Sequence, residues 1–188
     1  MTMLPAGELS VHVEQQKDLA GGIAAAVFDS TARTYRYLLT RIWDPTIPPV
    51  VFLMLNPSTA DALTDDATVT RLVHPKNGFA RRMGAGGLVV VNLFAVRSTD
   101  PRVLRHHEDP VGPLNDAFIR QATDRATTVV AAWGAAGVEH NGRGARVAEV
   151  LRARRVALQC LGTTSTGQPR HPLYLPAGAA LEPYGVAA

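Results

Sequence analysis

The sequence VVFLMLNPSTADALTDD, residues 50–66, begins as an unbroken apolar run and ends in amide, hydroxyl and carboxylate side chains. The apolar run stops at Asn56-Pro57, and three aspartates follow closely. An apolar run without alternation is typical of a strand that is covered on both faces, as the strands of parallel sheets are. The stretch therefore predicts a buried strand whose carboxyl end meets a cluster of polar groups.

Three further apolar runs follow along the chain, at residues 88–94, 127–133 and 156–161. Between the runs, apolar residues recur at helical spacing; Phe79 and Met83, for example, are four residues apart. Strands that alternate with helices indicate an α/β fold. We expect a three-layer α/β/α sandwich with a four-stranded parallel central sheet.

The region before this core, at about residues 22–44, predicts an antiparallel hairpin. The segments GGIAAAVFDS and YRYLLTRIW flank the short polar sequence TART, which is typical of a turn between two strands. We expect the hairpin to extend a core at about residues 50–176. A chain of 188 residues fits one domain, so we assign residues 1–188 to a single α/β domain.

The composition excludes several classes of protein. The formal net charge of +3 and the pI of about 9.4 are compatible with a polyanionic partner without requiring one. A single cysteine, Cys160, excludes an internal disulfide framework, a cysteine-held zinc site and an iron–sulfur cluster within the chain. No apolar run approaches the ~20 residues that span a bilayer, and the N-terminus lacks the layout of a signal peptide. We expect a cytoplasmic monomer with no membrane partner, no cofactor and no metal ion.

The predicted strands end at polar residues, and this is where α/β proteins bind ligands. Asn56 and Pro57 end the first parallel strand. Asn-Pro commonly starts a turn, and Ser58 could cap a helix. In the functional interpretation Asn56 faces a cleft, where its carbonyl orients a water molecule or its amide binds the edge of a base.

The aspartates of the first loop also allow two interpretations. Asp65 or Asp66 could cap a helix that begins at ATVTRL. Alternatively, the carboxylates of Asp61 and its neighbours orient a water molecule or anchor an arginine. An oxygen-only metal site needs several converging ligands, and this spacing is not that of a calcium-binding EF-hand loop.

The later strand ends add further candidates. Asn92, Phe94 and Arg97 emerge at the end of the second parallel strand; Phe94 could be a core residue or stack on a planar ring, and Arg97 could bind phosphate. Trp133 could pack in the core or line a site. The last loop, LGTTSTGQPRHPLYLP at residues 161–176, offers hydroxyls and backbone amides that can bind phosphate oxygens.

The motifs resemble two families. MLNPSTAD, DDATVTR, GFARRMG, VVVNLFAVRSTDP and GQPRHPLYLP are similar to motifs of an uncharacterised bacterial and phage domain family over about residues 35–176. The strand that ends in Asn-Pro, the helix and the strand that ends in VNLFAVRST also resemble the uracil-DNA glycosylase superfamily, above all its mismatch-specific uracil/thymine branch.

The glycosylase resemblance covers short motifs, and the chain departs from them at defined positions. The first motif of that branch is a Gly-x-Asn-Pro-Gly loop, whereas here Leu55 precedes Asn56 and Ser58 follows the proline. The segment RHPLYLP is similar in place to a His-Pro-Ser or Asn-Pro-Ser loop that inserts beside a flipped nucleotide. Here Leu173 stands in place of that serine.

The resemblance implies an N-glycosidase that excises a normal or modified base from DNA by water attack after base flipping. Asn56 would then orient the water, as the matching asparagine does in the family. Cleavage produces an oxocarbenium-like sugar and an anionic base, so a placed water, donors to the base and contacts to phosphate are needed. We therefore expect Asp61 or Asp66 to assist the water, and His171 to donate to a base oxygen.

The remaining predicted roles concern substrate binding. Phe94 would stack on the base, and three residues would hold phosphates: Arg97, Ser165 and Arg170. Four more residues complete the predicted binding surface: Pro57, Ser58, Asn92 and Trp133. Two alternatives stay open, namely a non-catalytic binder of modified DNA or of a nucleotide in the same cleft, and an N-glycosidase or transferase that acts on free nucleosides or nucleotides.

Overall fold

The structure is a computed structural model that describes residues 10–17 and 21–185, with the side chains of residues 138–141 left out. The expectation about the signal-peptide layout concerns residues 1–16, of which residues 1–9 lie outside the described residues. Within the described ranges, no helix combines the length and the apolar character needed to cross a membrane.

The described part of the chain forms one mixed sheet of eight strands in the order β1-β2-β3-β5-β4-β6-β7-β8. The strands are β1 His12–Lys17, β2 Ile23–Phe28, β3 Arg36–Ile42, β4 Val50–Met54, β5 Gly87–Asn92, β6 Val129–Ala131, β7 Leu158–Cys160 and β8 Glu182–Pro183. The neighbours β5, β4, β6 and β7 pair in parallel. The other four pairings are antiparallel, including that of β2 with β3 in the region where the sequence predicts a hairpin.

Four α-helices are described, two on each side of the sheet. They are α1 Ala67–Val73, α2 Phe79–Arg82, α3 Asn115–Thr123 and α4 Glu139–Ala153. The expected mixed α/β class is therefore confirmed. The sheet is larger than predicted because it includes the edge strands β1 and β8. The sequence did not predict these strands, since their residues are mainly polar and exposed and form no apolar pattern.

The central strand β4 shows why its sequence lacks alternation. Phe52 and Met54 pack in the cluster that includes α1 and α2, whereas Val51 and Leu53 pack in the cluster that includes α3 and α4. All five residues of β4 are buried. Since both faces of the strand are covered, every position is apolar, and the polar residues begin only where the strand leaves the sheet.

Candidate functional site

A cavity of about 630 Å³ lies at the carboxyl ends of β4, β5 and β6. Its walls are mostly apolar, and β4, β5, the start of α1 and the loop before residue 175 contribute to them. Seven of the residues that the sequence predicts as functional line this cavity: Asn56, Ser58, Asp66, Asn92, Trp133, Arg170 and His171. The structure thus brings together residues from four separate loops.

Asn56 is fixed by its amide nitrogen. Its Nδ2 donates to the backbone carbonyl of Pro57 at 3.0 Å and to that of Ser98 at 2.8 Å. Both N–H donors are therefore used, and Oδ1 remains as the acceptor of a half-buried side chain that lines the cavity. The same loops are also joined by a backbone bond from the Ser98 amide to the Pro57 carbonyl, 2.9 Å. The asparagine oxygen consequently has a fixed position from which it can accept a hydrogen bond.

Asp66 combines the two roles that the sequence left open. Its Oδ1 accepts from the Val69 amide at 2.8 Å, so the capping interpretation is confirmed for this residue. Asp66 also lines the cavity, and within the described ranges no group hydrogen-bonds to its second oxygen, Oδ2. One carboxylate oxygen thus begins α1 while the other stays available as an acceptor.

The other two aspartates lie outside the cavity. Asp61 accepts from the amides of Leu63 and Thr64 through Oδ1, and its Oδ2 lies 3.5 Å from Arg33. Asp65 pairs with Arg41 at 2.7 Å. Both therefore anchor an arginine, which is one of the roles that the sequence predicts. The position of Asp61 gives no support to the role predicted for it in catalysis.

His171 has a defined tautomer in its neutral form. Its Nδ1 accepts from the Leu173 amide at 3.3 Å and so caps the short 3-10 turn Pro172–Tyr174. The neutral ring must then carry its proton on Nε2, which makes that nitrogen a donor. Burial lowers the pKa of His171, and the negative charge of Asp66 opposes this effect in part. A neutral donor therefore lines the cavity near pH 7.

Asn92 and Trp133 form buried parts of the wall. Asn92 is only 2% exposed, and among the described residues nothing hydrogen-bonds to its side-chain amide. Its backbone carbonyl accepts from Asn115 at 2.9 Å. The Trp133 indole donates from Nε1 to Gln168 at 3.0 Å, which holds the ring against the wall. Asn92 thus offers an unused polar group to the cavity.

In addition to Asp61, the structure places four predicted residues away from the cavity. Phe94 is buried in the core with the α3 and α4 side of the sheet, so its core interpretation is confirmed and the base-stacking role predicted for it is not supported by its position. Arg97 lies over the Phe28 ring at 5.2 Å and reaches backbone carbonyls rather than the cavity. Pro57 is buried beside Asn56, and Ser165 is exposed on the loop after β7.

Arg36 lines the cavity, although no role was predicted for it from the sequence. This arginine is 3% exposed, and its Nη1 donates to the Ala60 carbonyl at 2.7 Å. Burial lowers its pKa to about 10, with Asp66 raising it in part. The available signal was an arginine between two tyrosines at the start of an apolar strand, where a charged side chain is rarely accommodated unpaired.

The described side chains show no group of three or more His, Cys, Asp or Glu residues placed to share a metal ion. Two residues of these types line the cavity, namely Asp66 and His171.

The chain matches the sequence model of a protein family, whereas no curated protein and no solved structure matches it significantly. The sequence model of a family described as "Protein of unknown function (DUF1643)" matches residues 36–173, which include every residue discussed for the cavity except the end of its last loop. The chain belongs to the DUF1643 family.

Proposed function

We propose that the protein is a hydrolytic N-glycosidase that releases a base from a nucleotide, with DNA as the first substrate to test. The observation that carries the proposal is the fixed amide of Asn56. Two backbone carbonyls hold its Nδ2, so Oδ1 is available to accept a hydrogen bond from water. Because this acceptor cannot rotate away, a water bound there would have a defined direction of attack.

A neutral amide orients water but cannot remove its proton efficiently. The reaction therefore depends on early departure of the base, which leaves an oxocarbenium-like sugar and an anionic leaving group. The Nε2–H of neutral His171 suits the second charge, since a donor placed where negative charge develops stabilises the transition state. The free oxygen of Asp66 suits the sugar cation or the attacking water.

The shape of the cavity supports a ring-sized substrate. A volume of about 630 Å³ is in the range typical of small-molecule sites, and mostly apolar walls with few polar groups are also typical. Leu173 and Tyr174 line the cavity from the last loop, and Tyr174 is 83% exposed. The exposed aromatic ring and Arg170, which lines the same cavity, would give a nucleic acid a surface on which to stack and a positive charge to approach.

The expected likeness to uracil-DNA glycosylases is part of this proposal. It is supported by the parallel neighbours β5, β4, β6 and β7 with helices packed on both faces. It is also supported by the positions of Asn56 and His171, which come from the two motifs of the resemblance and line the same cavity.

The test is base release from a panel of oligonucleotides that carry normal, deaminated and modified bases. We expect mass spectrometry to detect a free base with one of these substrates, and Asn56→Ala to lower the rate by about 100-fold or more, as the loss of one preorganised polar group commonly does. Asn77→Ala makes the same change at an exposed position outside the cavity and is the matched control.

Two results would contradict the proposal. Unchanged base release by a folded Asn56→Ala variant would exclude the assigned role of this amide. Retention of oligonucleotides without release of any base would favour the non-catalytic binder instead. Circular dichroism of the variant, together with its affinity for the oligonucleotide, separates a loss of chemistry from a loss of fold.

A further inference from the structure

Arg36 is a buried cation whose hydrogen-bonding capacity is mostly unused. Its side chain makes one hydrogen bond, from Nη1 to the Ala60 carbonyl, and its buried Nε has no partner among the described residues. Nη2 makes no hydrogen bond within the described ranges either. No described carboxylate lies within 4.0 Å of the guanidinium, although the charge of Asp66 acts on it. A guanidinium buried in this way normally has an anionic partner.

Two other well-covered arginines of the same fold, Arg41 and Arg143, have such partners. Arg41 pairs with Asp65 at 2.7 Å and also donates to backbone carbonyls. Arg143 pairs with Asp116 and donates from Nε to the Leu93 carbonyl at 3.1 Å. Arg36 differs from both because its free donors belong to a residue that lines an open cavity. The missing anion can therefore come from a ligand.

A second unpartnered group lines the same cavity. The Asn92 side chain is 98% buried and makes no hydrogen bond to a described residue, while its backbone is held by Asn115. The amide nitrogen of Asn92 can donate to the same kind of ligand atom as Arg36. Two buried side chains with unused donors, contributed by the neighbouring strands β3 and β5, indicate a binding position for an oxyanion.

We propose that Arg36, assisted by Asn92, binds the terminal phosphate of a small nucleotide in this cavity. The planar guanidinium can bond two phosphate oxygens at once. The cavity is far larger than a phosphate ion and its other walls are mostly apolar, so it has room for a sugar and for a planar base whose faces pack against those walls. The inference rests on the proposed N-glycosidase function and narrows its substrate to mononucleotides, since a guanidinium only 3% exposed is out of reach for the backbone of a duplex.

The test compares each common 2′-deoxynucleoside with its 5′-monophosphate, and inorganic phosphate alone, by isothermal titration calorimetry on the full chain. We expect one monophosphate to bind at least about tenfold more tightly than its nucleoside. Arg36→Met keeps an unbranched apolar stem and removes the charge, and it should abolish the difference in affinity between the monophosphate and its nucleoside. Arg154→Gln removes the same unit of charge from an exposed ion pair with Asp124 and should leave the difference intact.

Equal affinity of nucleoside and monophosphate in the wild-type protein would overturn the inference, as would failure of every monophosphate and of inorganic phosphate to bind. Retention of the phosphate preference by Arg36→Met would do the same. Asn92→Leu gives a second variant if Arg36→Met does not fold, and we expect a smaller loss of phosphate preference there. A preference for the monophosphate without base release would support this inference and contradict the proposed function. Base release from DNA without a preference for the monophosphate would support the proposed function and contradict this inference.

Discussion

His171 has two structural roles, because it caps the 3-10 turn that follows it and also lines the cavity. Its Nδ1 accepts from the Leu173 amide, which requires a neutral ring whose proton is on Nε2. Protonation would place a charge in a half-buried position and remove this acceptor. The same interaction therefore links the shape of the last loop to pH.

Burial lowers the pKa of His171 in the folded protein, so the unfolded chain takes up the proton more readily. The resulting contribution to stability is complete above the ordinary histidine pKa of about 6.5 and is lost as the pH falls below it. We expect the free energy of unfolding in urea to fall less between pH 8 and pH 5.5 in His171→Asn, which keeps a capping side chain, than in the wild type. His106→Asn, at an exposed position, is the control; an equal pH dependence of His171→Asn and wild type would contradict this assignment.

The residues of the site differ in how far the sequence could predict them. Asn56, Asn92 and Trp133 follow apolar runs, and the carboxyl ends of neighbouring parallel strands meet at one edge, so their meeting was predictable. Phe94 also follows a run, but sequence does not tell which face of the sheet a side chain takes beyond the last ladder bond. Arg36 comes from an antiparallel strand, and its place beside β5 depends on a pairing that its own sequence does not specify.

The packing around Trp133 depends on glycines in the segments that follow it. A Cβ added at Gly137 would lie 1.9 Å from Cδ1 of Trp133, and one added at Gly144 in α4 would lie 2.9 Å from its Nε1. The start of α4 therefore packs directly on the indole ring. Because Trp133 also lines the cavity, the approach of this helix helps to set the position of the wall.

Gly137→Ala should consequently destabilise the protein. The added methyl group would meet a fully buried ring, and overpacking of this kind costs about 1–3 kcal/mol. We expect a loss of that size in the free energy of unfolding in urea and a changed tryptophan fluorescence of the folded state. Gly178→Ala is the matched control because a Cβ there meets nothing within 4 Å, and equal stability of the two variants would show that the indole can yield.

The elements also show why the edges of the sheet were harder to predict than its centre. Strands β4 and β5 are apolar because both their faces are covered, and that pattern is visible in the sequence. Strand β1 is mostly exposed, and β8 has only two residues. Neither strand buries enough apolar surface to leave a periodic signal, so their pairing follows from the finished sheet rather than from local sequence.

Residues that are far apart in the sequence line the same cavity. Arg36 precedes the parallel strands, whereas Leu175 follows the last of them, and both line the same space. A ligand bound there contacts β3, β4, β5, the start of α1 and the last loop together. Since such a site exists only when all these elements are assembled, ligand binding should stabilise the folded chain as one unit.

Because ligand binding depends on several elements together, it can test whether the chain unfolds as the single domain that the sequence predicts. A ligand that binds only the folded state stabilises it by about 2.7 kcal/mol at a concentration of 100 Kd. For a chain of this size, 1 kcal/mol corresponds to about 2–4 °C, so we expect Tm to rise by about 5–10 °C. Far-ultraviolet circular dichroism and tryptophan fluorescence should report the same shift, because Trp133 lies in the wall of the cavity. A shift seen by fluorescence alone would mean that the region around the cavity unfolds separately from the rest of the sheet, and would contradict the assignment of one cooperative domain.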